Sequence, residues 1–268
     1  MTAKRSEHAQ TDKIDPIWAN IRADAQQALE SEPVLGALLH TCVTAQDSLE
    51  AAVAHRVSER LDHSDVSADA IRQAFQQMIA ADPSFSRAVR VDLQAVFDRD
   101  PACMRYLEPL LYFKGFHAIQ SHRLAHWLHK QGRRDFAQYL QSRSSMVFQT
   151  DINPAAPFGV GIFLDHATGF VVGETAAVGD NVSILHGVTL GGTGKEGADR
   201  HPKIGDDVLI GAGAKILGNI SIGACSKVAA GSVVLNDVPP RKTVAGVPAK
   251  IVGEAGCNQP SRAMNQLL

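Results

Sequence analysis

Three histidines fall in the second half of the chain, and one of them has a carboxylate at a useful spacing. His166 lies fifteen residues after Asp151. The hexapeptide repeat that surrounds them would close one coil in about eighteen residues, so the two side chains belong to neighbouring coils. A carboxylate beside an imidazole fixes the histidine tautomer and stabilises the imidazolium. The pair therefore predicts a general base able to take the proton of a hydroxyl nucleophile, and a purely structural histidine is the alternative.

A second pair of polar side chains lies in a glycine-rich stretch that interrupts the same repeat. The stretch reads GGTGKEGADRHP and carries Arg200 and His201. Long loops on rigid repeats often hold functional residues. A guanidinium also offers a planar fork of donors to a carboxylate. These two residues are therefore candidate ligands for a substrate carboxylate, although a solvated loop tip would look the same.

Small residues in a column predict a groove for an extended ligand. Ala212 and Ala230 are eighteen residues apart and so should stack on successive coils. Four basic residues lie near the end of that column and could meet phosphates: Lys227, Arg241, Lys242 and Lys250. Each of them could equally be an ordinary solvated charge.

The elements that would position these residues follow from a six-residue period. Thirteen aliphatic or aromatic positions recur from Ile152 to Val188 and again from Ile204 to Val234. A hexapeptide period predicts a parallel β-helix in which three short strands close one triangular coil. The repeated side chain points inward and stacks on its counterparts in the neighbouring coils.

The first 148 residues have helical periodicity instead. Asp15-Pro16, Ser67 and Pro83 are predicted helix starts. The fold class is therefore α+β, with a helical domain at 1–148, a β-helix at 149–253 and a flexible tail at 254–268. His122, His126 and His129 recur at a spacing that can bind a metal on a helix, but a packed helix face is favoured and no metal is expected.

Composition excludes several classes of protein. The net charge is −2 over 268 residues, which provides no electrostatic surface for nucleic acid. The four cysteines are far apart, as in a reduced cytoplasmic protein. No stretch of the sequence predicts a signal peptide or a membrane span.

The motifs resemble those of serine acetyltransferases, which make O-acetylserine in cysteine biosynthesis. The resemblance lies in DINPAAPFGVGIFLDHATGFVVGETA, LHGVTLGGTGK, DRHPKIGDDVLIGAGAKILGN, AAGSVV and AGVPAKIVG, and in the helical stretch DLQAVFDRDPA. It covers nearly the whole chain. It implies a left-handed β-helix, although handedness rules alone would favour right-handed connections. It also implies a homotrimer or a dimer of trimers, with active sites between adjacent subunits.

The resemblance further implies a role for each site residue. His166 would be the base and Asp151 its partner, while Asp100 and Asp165 would hold the amino group of L-serine. Arg200 and His201 would bind the serine carboxylate. Acetyl-CoA would lie along Gly192, Ala212 and Ala230. Lys250, one of the basic residues near the end of that column, is the candidate for its phosphates. Adjacent residues of a straight strand point in opposite directions, so Asp165 and His166 must lie at a coil corner or serve different subunit boundaries.

Two departures from the family pattern affect these expectations. The family often has DIHP where this chain has Asn153. Many members also end in an isoleucine that docks into O-acetylserine sulfhydrylase, whereas the tail here is short and ends in Leu268. That complex is therefore in question. Feedback inhibition by L-cysteine is a further expectation.

Three other functions compete with this one. A hexapeptide acetyltransferase could act on another small alcohol, such as homoserine or a sugar, but Arg200 and the two aspartates favour a zwitterionic amino acid. A zinc carbonic anhydrase on the same coil commonly has two histidines five residues apart, which positions 166, 186 and 201 do not provide. An inactive regulatory scaffold would not need Asp151 and His166.

Overall fold

The computed structural model of the chain describes residues 15–194 and 197–267. The first residues of the predicted helical domain and the terminal Leu268 lie outside these ranges. The described helices of the first half are α1 (Pro16–Ser31), α2 (Gly36–Leu39), α3 (Leu49–Leu61), α4 (Ala68–Ala81), α5 (Ser84–Arg99), α6 (Leu107–Leu111), α7 (Lys114–Lys130) and α8 (Arg134–Phe148). A π-helical turn, His40–Thr44, follows α2. None of the described helices is long and apolar enough to cross a membrane.

Helix starts follow the predicted capping residues. The Asp15 carboxylate accepts hydrogen bonds from the amides of Ile17 and Trp18, and Pro16 occupies the first helical turn. The Ser67 hydroxyl accepts from the Ala70 amide at the start of α4. These two predicted starts are confirmed, and α5 begins directly after Pro83.

The second half is a parallel β-helix with three faces. Face 1 contains β1 (Thr150–Ile152), β3 (Phe170–Val172), β6 (Thr189–Gly191), β9 (Lys215–Leu217) and β12 (Val233–Val234). Face 2 contains β4 (Ala177–Val178), β7 (Lys203–Ile204) and β10 (Ser221–Ile222). Face 3 contains β2 (Phe163–Leu164), β5 (Ser183–Ile184), β8 (Leu209–Ile210), β11 (Lys227–Val228), β13 (Lys242–Gly246) and the antiparallel β14 (Ala249–Glu254).

The coils of this β-helix differ in length, and the first is longer than predicted. Ile152 pairs with Val172, twenty residues on, whereas Val172 pairs with Leu190 after eighteen. The predicted unbroken period across the first seven hexads is therefore wrong. The register shifts by two at the corner between β2 and β3. Each inward position predicted after this corner is still buried, but it lies two residues before the residue that pairs with the inward position of the preceding coil. These predicted positions are Phe170, Ala176, Val182 and Val188.

A buried carboxylate joins the two halves. Asp92, on α5, is fully buried and accepts hydrogen bonds from Gln120 and Arg123 on α7. It also accepts from the backbone amides of Gly161 and Ile162, at 2.8 and 3.0 Å, just before β2. Three segments that are far apart in sequence therefore meet at one side chain. The apolar core is likewise continuous from the helices into the coil.

Residues after Glu254, which the sequence predicts as a flexible tail over 254–268, contact both halves. The carbonyl of Ser261, in the short helix α9 (Pro260–Ala263), accepts a hydrogen bond from the Ser183 hydroxyl at 2.7 Å. Met264 contacts an apolar cluster that contains Val96 of α5 and Phe163 of β2. Lys227, which is 6% exposed, donates to the carbonyl of Leu267. Of the two alternatives for Lys227, a phosphate contact or a solvated charge, the structure has neither, because this ammonium is buried against the tail.

Asp92→Asn tests the junction. Removing one partner of a buried ion pair leaves the other charge uncompensated, so we expect the free energy of unfolding to fall by roughly 3–5 kcal/mol. The measurement is urea unfolding at fixed protein concentration. Asp69→Asn removes an exposed carboxylate that pairs with Arg72 and should cost less than about 1 kcal/mol. Equal losses in the two variants would contradict a special role for the buried carboxylate.

Candidate active site

A cavity of about 360 Å³ lies where the helical half meets the first coil. Asp100, directly after α5, contributes a carboxylate to its lining. Asp165 and His166, directly after β2, contribute a second carboxylate and an imidazole. The start of α7 forms another wall, which includes Lys114. Three of the predicted site residues therefore share one cavity within a single chain.

The corner between β2 and β3 brings Asp165 and His166 to the same side. His166 and Ala167 both have positive φ angles, 56° and 63°. Two tight backbone hydrogen bonds stabilise the turn, from Ala167 to Asp165 and from Thr168 to His166, each 2.7 Å. Left-handed conformations in non-glycine residues cost about 1–3 kcal/mol each and concentrate at functional sites. Of the two predicted arrangements for Asp165 and His166, the structure has the coil corner.

The His166 imidazole is well exposed and has a carboxylate nearby. Its side chain is 71% exposed, and Nε2 lies 3.6 Å from Oδ2 of Asp165. The ring of His186, one coil further along, packs edge-on at 5.7 Å between centroids. Burial raises the pKa of Asp165, nearby His166 lowers it, and the Asp100 carboxylate raises it further. The cavity therefore combines an accessible base with two carboxylates.

Asp151 does not contact His166 within the described chain. It stacks on Val171, twenty residues later, because the first coil is longer than eighteen residues. His166 is thus five residues from that stacking position and lies around a corner. The Asp151 carboxylate is exposed on face 1 and accepts a hydrogen bond from Gln141 at 2.6 Å. Within one chain the structure therefore does not bring together the two side chains that the residue spacing placed on neighbouring coils.

Arg200 and His201 lie on a different corner, between faces 1 and 2. Arg200 forms an ion pair with Glu174 at 2.8 Å. His201 is 7% exposed, and its Nδ1 lies 2.8 Å from the Thr175 hydroxyl. A Cβ atom at Gly173 would lie 2.0 Å from Nε2 of His201, so only glycine leaves room for this imidazole. Neither Arg200 nor His201 lines the cavity of His166.

The predicted groove residues are also divided between two corners. The amide of Gly231 donates to the carbonyl of Ala212, so Ala212 and Ala230 do stack, on the corner that follows face 3. Gly192 lies beside Arg200 instead, on the corner that follows face 1. Lys250 is exposed on β14, opposite Ala245. One chain therefore presents two separate groups of candidate residues.

Comparison with known proteins decides the family. Residues 17–121 match the family model "Serine acetyltransferase, N-terminal", and residues 201–236 match "Bacterial transferase hexapeptide (six repeats)". A serine acetyltransferase of Escherichia coli (strain K12) is 50% identical over 255 residues, which are 95% of this chain and 93% of the relative. The chain belongs to the serine acetyltransferase family.

Solved structures of the family superimpose closely on this chain. A serine acetyltransferase from Brucella abortus strain S19, in complex with coenzyme A, is 67% identical with a TM-score of 0.91, covering 93% of this chain and all of that one. A soybean serine acetyltransferase complexed with serine is 53% identical with a TM-score of 0.86, covering 88% and 97%. The predicted fold class, a helical domain followed by a left-handed parallel β-helix, is confirmed.

Three contacts of the site have no recognisable signal in the sequence. Lys114 lines the cavity, Glu174 pairs with Arg200, and Gly173 provides the space for His201. Lys114-Gly115 begins a helix among aromatic residues, where no periodic signal marks it. Glu174 and Gly173 fall at an ordinary coil corner, and only the fold brings them to Arg200 and His201.

The histidines of α7 serve the junction between the two halves. His122 Nε2 lies 3.0 Å from the carbonyl of Ala156, and His126 Nδ1 lies 2.8 Å from that of Pro154. Complete burial lowers the pKa of His122 to about 3. In the parts of the chain that the structure describes, no three histidine, cysteine or acidic side chains cluster as metal ligands do. The packed helix face favoured by the sequence is the arrangement observed.

The protonation of His201 tests the contacts at the corner that carries Arg200 and His201. Burial lowers the pKa of this imidazole, and the positive charges of Arg200 and Lys203 lower it further. We expect His201 to titrate below the usual value of about 6.5 and so to be neutral near pH 7. Arg200→Met removes a positive charge and should raise the pKa of His201, as measured by NMR titration.

Arg87→Met, which removes an exposed arginine of α5, is the matched control and should leave the His201 titration unchanged. His201→Gln assigns the resonance. A His201 pKa that stays the same or falls in Arg200→Met would show that these two side chains do not interact as the structure has them.

Proposed function

We propose that the chain transfers the acetyl group of acetyl-CoA to the hydroxyl of L-serine, giving O-acetylserine and CoA for cysteine biosynthesis. The observation that supports this most strongly is the cavity that His166 lines together with the carboxylates of Asp100 and Asp165. Relatives of similar length with the same fold carry the name serine acetyltransferase, and solved ones hold coenzyme A or serine.

His166 acts as the general base. Its exposed imidazole takes the proton from the serine hydroxyl while the serine oxygen attacks the carbonyl carbon of the thioester. The resulting tetrahedral oxyanion collapses with cleavage of the C–S bond, and the imidazolium returns the proton to the departing CoA sulfur. A thioester supplies the activated acyl group, so the protein need only orient two substrates and move one proton.

The carboxylates of the cavity bind the ammonium group of the amino acid. Asp100 and Asp165 approach the cavity from the helical half and from the coil, respectively. A negative cavity of this kind attracts a cation, and each carboxylate gains a charge-assisted hydrogen bond when the ammonium enters. This chemistry supports L-serine over a sugar, which offers no cation.

Binding of the serine carboxylate requires Arg200 and His201, and in our proposal a neighbouring subunit supplies them. Strand β3, roughly 10 Å long at about 3.3 Å per residue, separates the His166 corner from the Arg200–His201 corner. One small amino acid cannot contact both within a single chain. Two copies placed side by side would bring one corner of each together, as in a homotrimer or a dimer of trimers.

Asp151 fits the same arrangement as the partner of His166 across a subunit boundary. Its carboxylate is exposed on face 1, with buried neighbours on both sides along β1. A carboxylate from a second chain could then orient the imidazole that Asp151 does not reach in its own chain. The interaction would stabilise the imidazolium formed during proton transfer.

Acetyl-CoA would lie along the column that contains Ala212 and Ala230, with Gly192 of a neighbouring copy on the other side. Along that corner His186 is followed by Ala212 and then by Ala230. The groove would therefore begin beyond His186 and extend along the coil, away from His166. Lys250, exposed on β14 beyond the end of the column, is suited to the phosphates. The thioester would then approach His166 from the same edge of the coil.

Regulation and cellular context belong to the same proposal. L-cysteine resembles L-serine in its ammonium and carboxylate groups and would compete for the cavity; a solved serine acetyltransferase that is 47% identical is described as a complex with cysteine. The four free thiols support a cytoplasmic location. The segment after Glu254 packs on its own chain, which disfavours a complex with O-acetylserine sulfhydrylase through that segment.

His166→Ala tests the function directly. General-base assistance is worth about 10²–10⁴-fold, so kcat for CoA release with L-serine should fall by that factor. The exposed side chain should allow the variant to fold normally. The assay follows thiol release from acetyl-CoA with L-serine, homoserine or a sugar as acceptor.

His63→Ala, which alters an exposed histidine of the helical half, should keep the parental rate. A parental rate in His166→Ala, or CoA release without any acceptor, would exclude the proposed mechanism. Faster turnover with homoserine or a sugar than with L-serine would instead favour the alternative, a hexapeptide acetyltransferase that acts on another alcohol.

A further inference from the structure

The His166 corner must be held in place by other parts of the chain, because the exposed His166 side chain makes few contacts that could restrain it. The imidazole is 71% exposed and the backbone has two successive left-handed residues. Such conformations persist only where the surroundings fix them. A base that must meet a hydroxyl within hydrogen-bonding distance also loses efficiency when its position varies by about 1 Å. The contacts that restrain this corner are therefore part of the catalytic design.

One ammonium group restrains the corner. Lys114 Nζ donates to the hydroxyl of Thr168 at 2.6 Å and to Oε1 of Gln149 at 2.8 Å. The Thr168 hydroxyl in turn lies 3.4 Å from the carbonyl of His166. The carbonyl of Gln149 accepts a hydrogen bond from the amide of Gly169 at 2.9 Å. Lys114 thus connects the corner to the segment between α8 and β1.

The backbone that carries Lys114 is itself held firmly. A Cβ atom at Gly115 would lie 1.9 Å from the carbonyl oxygen of Leu164, so α7 begins in direct contact with the backbone of β2. Leu164 immediately precedes Asp165. The backbone of Lys114 and the strand that leads to His166 are therefore fixed relative to each other. The lysine side chain contacts the corner from the other side.

We propose that Lys114 is a positioning residue for the reaction, which fixes the His166 corner through Thr168 and Gln149. This rests on the proposed role of His166 as the base. The ammonium acts on the corner in this proposal, through the two protein side chains to which it donates. Loss of the contact loosens the imidazole and lowers the rate of proton transfer without removing a substrate ligand.

Lys114→Met keeps the apolar stem and removes the ammonium, and Thr168→Val removes the acceptor at the other end. Each change should lower kcat about 10-fold and leave the KM for L-serine and acetyl-CoA within about twofold, because ground-state binding is unaffected. The double variant should be no slower than about the worse single variant, since both changes break one interaction. Lys114→Arg should recover most of the lost kcat.

Lys130→Met, at the opposite end of the same helix, is the matched control and should keep the parental kcat. Imidazole NMR spectra should show a displaced or broadened His166 signal in Lys114→Met and an unchanged one in Lys130→Met. Both readouts separate a positioning role from general destabilisation of the fold.

Three results would overturn the proposal: an unchanged kcat in Lys114→Met, multiplicative losses in the double variant, or a rise in the KM for L-serine with kcat retained. The last would make Lys114 a substrate ligand. Because His166→Ala is measured in parallel, a failure confined to the Lys114 and Thr168 variants leaves the function intact. A parental rate in His166→Ala would exclude His166 as the base and would remove this inference with it.

Discussion

The site depends on the hydrogen bonds and the ion pair of the buried Asp92 carboxylate. It neutralises Arg123 and accepts from two backbone amides, so α5, α7 and the segment before β2 have a fixed relation. A fully buried carboxylate is tolerated only when it is paired and hydrogen-bonded in this way. Asp100 follows α5 and His166 follows β2. The distance across the cavity is thus set by a side chain that does not line it.

Much of the fold could be predicted from the sequence, because its periodicities are strong. The hexapeptide period and the helix caps at Asp15 and Ser67 gave the two architectures and their order. The extra residues at the His166 corner could not be recognised, since Phe170 and Val172 are both apolar and either can be counted as the inward position. That two-residue shift also explains why the predicted contact between Asp151 and His166 fails within one chain.

Individual site residues were harder to predict than the fold. His166 and Arg200 carry chemistry that can be recognised by residue type, and the resemblance to serine acetyltransferases suggested their roles. Lys114 has no such signal, because its importance comes from contacts with Thr168 and Gln149, which lie more than thirty residues away in sequence. Contacts over such separations depend on the packing of α7 against the coil, which residue spacing does not reveal.

The lengthened first coil has a wider consequence. The next coil has the standard length, because Val172 pairs with Leu190 after eighteen residues. In a solenoid each turn touches only its neighbours, so an irregularity in one turn is not transmitted along the stack. Reactivity and architecture are therefore separable here: a rigid scaffold can carry an altered corner, and new chemistry could evolve there without redesign of the interior.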